Sequence, residues 1–215
     1  MNKMVQKGKG LLRNPRLNPP PVRKMLLVMG DAPITSITLV RTPLALSSRI
    51  ALHISTFGQA NAAMKKLGID KLFHLSMVLH TQAGDFVLDK QHVIKLIPMP
   101  VNYIDDPEAE TLEVPVNKEI TTNQLLLNTQ ARMGTKYGSY SASDNNCSIF
   151  LLNVLEANGL STAESTIFIT QQADELFQMF PSLLNTVAKS VTDIAAVGDK
   201  IIFGEGKRSI SYIQY

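Results

Sequence analysis

The 215-residue sequence holds a single cysteine, Cys147, so no internal disulfide forms and nothing asks for an oxidising compartment. Long apolar runs are missing too. The longest near the N-terminus is residues 25–29, MLLVM, far too short for a membrane span and shorter than the core of a signal peptide. No Gly-rich phosphate loop follows a strand, which leaves nucleotide chemistry without support. The four histidines are scattered and, with one cysteine, lack the spacing of zinc ligands, so neither a metal nor another cofactor is expected. With 45% hydrophobic residues and mean hydropathy near zero, the chain reads as a protein made and used inside a cell, or inside a particle assembled there.

Acidic residues are absent from the first 24 positions, which carry Lys3, Lys7, Lys9, Arg13, Arg16, Arg23 and Lys24. These seven charges, set against a net charge of +3, leave the other 191 residues at −4. Together with Gly8, Gly10, Pro15 and the prolines at 19–21, they predict an extended arm over residues 1–30 that builds no core. The arm is expected to dock on a capsid or other neighbouring protein. Seven charges without interleaved aromatics attract phosphate but read no bases, so sequence-specific nucleic-acid recognition is not expected.

Along the rest of the chain, residues 37–41 read as a short strand. Thr42 and Pro43 then open a helix to about residue 56, and a second helix covers residues 59–67. From residue 72 the period becomes two. Residues 73–81 and 86–90 form a hairpin about a turn at 82–85, with further strands at 93–97 and 112–116. An amphipathic helix at 121–133 follows, capped by Thr121 or Thr122. Helices are expected again from residue 165, and the apolar stripe through Leu184, Val187, Val191, Ile194 and Ile201 is a surface for the protein's own core or for a neighbour. A lipid or membrane surface is a second candidate partner for that stripe, although Lys189 and Asp193 together do not make a basic face. The order of elements predicts an α+β fold, with a domain at 31–160 whose core is about 72–160 and a helical extension at 161–215.

The stretch 136–159, KYGSYSASDNNCSIFLLNVLEANG, places Cys147 in the first turn of a helix that ends near Gly159. Unpaired N–H groups and the positive end of the helix dipole there favour a thiolate, the nucleophilic form of cysteine, and could receive an oxyanion. Lone cysteines are more often small buried hydrophobes, so a base is needed to argue chemistry. His74 lies on the first hairpin strand, sharing a face with Ser76, Val78 and His80. Asp89, on the return strand, would stand across from it to hold the imidazole, with His92 the substitute if the register slips by one. Otherwise Asp89 and Lys90 read as a solvated ion pair of little energetic weight.

Phe73-His74-Leu75, Leu88-Asp89-Lys90, Tyr140 seven residues before the cysteine, and Asn146-Cys147-Ser148-Ile149-Phe150 together resemble the circularly permuted branch of the NlpC-type papain-like superfamily, the lecithin:retinol acyltransferase-like domains. The resemblance covers about residues 72–160. It implies a small antiparallel sheet with a nucleophile helix, and the order of histidine before cysteine. It also implies an acyl hydrolase or acyltransferase acting on a lipid ester or amide, in which Cys147 attacks, His74 moves the proton, Asp89 orients His74 and the Tyr140 hydroxyl assists the oxyanion. Members usually carry Gln or Glu directly after the cysteine and often His at the orienting position, where this chain has Ser148 and Asp89. More broadly, the basic leader, Pro33 to Ile37, Lys66 to His74 and Val191 to Ile194 look similar to small permuted-papain proteins of double-stranded DNA viruses. That implies a virion setting, and as the competing role a catalytically silent minor capsid or scaffold protein.

Overall fold

The computed structural model describes residues 17–43, 73–105, 107–140 and 145–170. The elements run α1 (Pro20–Met29), β1 (Ile34–Pro43), β2 (Phe73–Thr81), β3 (Gly84–Lys90), β4 (Ile94–Pro98), β5 (Glu110–Val114), α2 (Thr122–Met133), a 3-10 turn (Gly134–Tyr137), α3 (Cys147–Ala157) and α4 (Ala163–Thr170). The fold is α+β. The expected helix at 59–67 and the C-terminal stripe beyond Thr170 lie outside the described residues.

All five strands pair antiparallel in the order β4-β3-β2-β1-β5. Because side chains alternate along a strand, the sheet has two faces with separate covers. Ile37, Leu39, Leu75, Met77, Leu79, Leu88 and Leu96 point to one, where α1, α2 and α3 supply Leu26, Leu125, Phe150, Leu151 and Val154. Each such side chain, fully withdrawn from water, contributes about 1.5–3 kcal/mol. Val40, Val78 and Val87 point to the other, beneath Met99, Tyr103 and Ile104 from the loop after β4. Burial on both faces is why Val78, between Met77 and Leu79, is apolar as well.

The β2-β3 hairpin matches the expected strands. Its turn closes through Gly84 at φ 117°, with the Thr81 hydroxyl donating to the Gly84 carbonyl at 2.7 Å. The helix at 122–133 is capped as the sequence predicts, the Thr121 hydroxyl accepting from the Gln124 N–H.

Two expectations are corrected. Residues 20–29 are not part of an extended arm but a helix. Pro20 and Pro21 occupy its first positions, where no N–H is needed, and Val22, Leu26 and Met29 recur at helical spacing and enter the core. Asn18, also buried, accepts a hydrogen bond from the Tyr137 hydroxyl at 2.8 Å, so the packed chain begins no later than there. Nor do Thr42 and Pro43 open a helix. They end β1, opposite His74 and Phe73. Strand pairing overrides the capping signal, and a proline at a strand terminus forfeits no essential donor.

At the other end, α4 packs on the same core through Ile169. The guanidinium of Arg41, ion-paired with Glu110, lies 5.0 Å from the Phe73 ring centre and 4.3 Å from that of Phe168. Among the described residues, no helix is long and apolar enough to cross a membrane.

Candidate active site

Cys147 is the first residue of α3. Asn146 caps that helix, its side-chain oxygen accepting from the Ile149 N–H at 3.1 Å. The residue directly before the cysteine is therefore the cap. Phe150, Leu151, Val154 and Leu155 anchor the helix to the sheet. Its far end stops at Asn158 and Gly159, the glycine at φ 59°, where a side chain would be strained. Asn158 also donates to the Leu125 carbonyl at 3.1 Å, fixing α3 against α2. Cys147 itself stays partly exposed at the edge of the core.

The imidazole comes from the sheet. The register sets Ser76 opposite Asp89, so His74, two residues before Ser76 on the same face, lies diagonal to the carboxylate. His74 Nε2 is 2.9 Å from Asp89 Oδ1. The two atoms face each other at ion-pair distance, off the axis of an ideal hydrogen bond. Catalytic hydrogen bonds often tighten only once substrate is bound. Asp89 Oδ2 accepts from Gln91 Nε2 at 2.9 Å, which fixes the carboxylate from behind. Over the pair, the Tyr103 hydroxyl is hydrogen-bonded to Ser76 Oγ at 2.9 Å.

The electrostatics couple the three groups. Burial pulls the His74 pKa down, but the charge of Asp89, its hydrogen bonding and the nearby thiol outweigh burial and hold it well above 6.5. For Cys147, burial pushes the thiol up. Hydrogen bonding and charge from His74, with the Leu75 backbone N–H, prevail and bring it below the ordinary value. The imidazole is raised and the thiol lowered partly by one another, so the two titrate as a coupled pair.

Tyr140 is half-buried at the same place. Burial first, then the charges of Cys147 and Asp89, push its pKa up, so it remains a neutral phenol able to donate. Its ring meets that of His92 edge-on, with centroids 5.2 Å apart. His92 is exposed and stacks there, whereas Asp89 is the group at His74. The register thus decides between the two residues the sequence offered. The remaining histidine of β2, His80, belongs to the turn end of the hairpin, between Asp85 at 3.0 Å and Thr38 at 3.0 Å.

One expectation fails here. Asp89 and Lys90 are not a solvated ion pair: Asp89 is 7% exposed and Lys90 1%. As neighbours on a strand they face opposite ways, Asp89 toward His74 and Lys90 into the helix-covered face. There Lys90 Nζ donates to the carbonyls of Lys136 and Tyr137 and to Asn145 Oδ1. The signal was present in the sequence, since the alternation that turns Phe86 and Leu88 inward also turns Lys90 inward. Tyr103 was missed because its partner, Ser76, lies on another segment, whereas Gln91 meets Asp89 two residues away on the face that strand alternation gives both. Among the described residues, no three His, Cys, Asp or Glu side chains gather as a metal site.

No family model, no curated protein and no solved structure matches this chain.

Proposed function

We propose that the chain is a cysteine-dependent acyl hydrolase or acyltransferase of the permuted papain-like kind. The observation that carries the reading is the meeting of Cys147, at a helix start, with a His74–Asp89 pair from the preceding hairpin. The Cys147 thiolate attacks an acyl carbonyl, forming the S–C bond as the carbonyl electron pair moves onto oxygen. That oxyanion is met by the Cys147 and Ser148 N–H groups at the very start of α3, which no helical carbonyl can reach, and by the Tyr140 hydroxyl. Collapse breaks the bond to the alcohol or amine, which takes the proton from the His74 imidazolium. Water or an acceptor hydroxyl then attacks the thioester and gives its proton to His74, and the thiolate leaves. With Nε2 turned toward Asp89, Nδ1 is the nitrogen left to serve the thiol.

A lipid ester or amide as substrate, and association with a virion, rest on the resemblance of the motifs. Ser148, in place of the family's Gln or Glu, is the departure nearest the chemistry. The test is alkylation by iodoacetamide at neutral pH. Cys147 should react faster than free cysteine, and His74→Ala should abolish the excess. Reactivity equal to that of free cysteine, or indifferent to His74, ends the reading. For docking through the arm, the informative truncation removes residues 1–16 only, because residues from 18 onward belong to the core. Such a truncated chain should stay folded and fail to join the particle; undiminished incorporation would refute docking through the arm.

A further inference from the structure

We infer that Lys90 is a positioning residue of this site. It clamps the segment that delivers Tyr140 and Cys147, while Asp89, its neighbour in sequence, holds His74 from the opposite face of the same strand. The inference rests on the reading of Cys147 as nucleophile.

A lysine ammonium is almost never fully buried unless it is paired, since leaving water is costly. Lys90 meets that cost without a carboxylate: its three protons find three oxygens, at 3.2 Å on Lys136, 3.1 Å on Tyr137 and 3.1 Å on Asn145. The Phe150 ring lies 5.3 Å from Nζ and offers a fourth attraction. Asn145 turns its amide back on the same segment, donating to the Lys136 carbonyl at 2.6 Å, the Ser139 carbonyl at 2.8 Å and Ser139 Oγ at 3.0 Å. One ammonium therefore pins the chain at residues 136–137 and again at 145. Tyr140 lies between those pins, and Asn146 and Cys147 follow directly after the second.

Packing alone does not explain this choice, because an apolar side chain of the same volume would fill the space without the desolvation cost. What an ammonium adds is direction. Burial lowers the Lys90 pKa to about 8, which leaves it mostly charged at neutral pH with all its protons engaged. Successive residues of a strand are about 3.3 Å apart and point opposite ways, so the holder of the base and the holder of the nucleophile are one covalent unit.

The experiment compares Lys90→Met, which keeps the stem and loses the donors, with Asn145→Ala, which removes one pin and leaves the ammonium. Two quantities are read in the full chain: amide hydrogen exchange over residues 134–140 and 145–149, and the pH profile of Cys147 alkylation. Both variants should speed exchange in those segments at least about tenfold. Both should slow alkylation at pH 6 about tenfold with recovery at pH 10, as a thiol pKa raised by one unit requires. Lys90→Arg, which keeps charge and donors, should restore part of the rate. Folded variants with unchanged exchange would overturn the clamp whatever Cys147 does. Faster exchange with an unaltered alkylation profile would overturn the positioning role. Ordinary thiol reactivity in the unmodified chain would instead sink the functional reading above, and the positioning claim with it.

Discussion

Replacing Asp89 by Asn tests the core of the proposed mechanism, because it keeps the shape of the side chain and removes its charge. At 2.9 Å and an effective dielectric near 20, the gross attraction between His74 imidazolium and the carboxylate is about 6 kcal/mol, most of which offsets the cost of taking both groups from water. Removing one partner from a buried pair costs about 3–5 kcal/mol. With the two side chains still 19% and 10% exposed, the lower end, about 3 kcal/mol, is expected from urea unfolding. The effect on Cys147 runs two ways. The Asp89 charge directly raises the thiol pKa, so its loss alone would ease ionisation. That influence is the weakest of those acting on the sulfur, whereas the hydrogen bond and charge of His74 are the strongest that lower it. Without Asp89, burial of His74 is opposed only by the thiol, its pKa falls, and the imidazolium partner of the thiolate is lost. The indirect effect wins. Alkylation at pH 6 should drop by about tenfold for each unit that the thiol rises, and return to the unmodified rate near pH 10. In the double variant with His74→Ala, the loss should be no greater than with His74→Ala alone, since both act along one path. A folded Asp89→Asn chain whose alkylation profile superimposes on the original would refute the reasoning.

Further predictions concern stability. Tyr137→Phe should lower it by about 1–2 kcal/mol, because buried Asn18 loses the donor at 2.8 Å; an unchanged urea midpoint would show that this link between α1 and the site contributes nothing. The pH dependence carries two signatures of opposite sign. His74 has a raised pKa in the folded state, so its contribution is full below 6.5 and is lost as pH climbs through the folded value. Lys90 is lowered from 10.5 to about 8, so between those values the unfolded chain holds the extra proton and stability rises with pH, by at most about 3 kcal/mol. Urea unfolding at pH 8 and 10.5 should show that rise in the unmodified chain and a smaller one in Lys90→Met; equal rises would assign it to other groups.

Much of the site was legible as local pattern. Period two over residues 73–90 gave the hairpin, and the run from Asn146 with apolar positions at helical spacing gave α3 with the cysteine in its first turn. Where reading failed, local and tertiary preferences competed. Thr42-Pro43 carries a helix-start signal, yet pairing with His74 and Phe73 draws it into β1. Proline and positive charge at 15–24 suggest an extended chain, yet Val22, Leu26 and Met29 find a core to enter.

By itself, the sequence determined the hairpin over residues 73–90, the alternation of its side chains between two faces, and that the sulfur begins a helix, because those follow from periodicity and capping along a few neighbouring residues. Only the tertiary structure decided that Asp89 rather than His92 reaches His74, that Lys90 is buried against the carbonyls of a segment 46 and 47 residues away, and that the imidazole and the thiol come close enough to shift one another's pKa. Register and burial depend on what the remaining chain packs against each face, and no window of sequence contains that information.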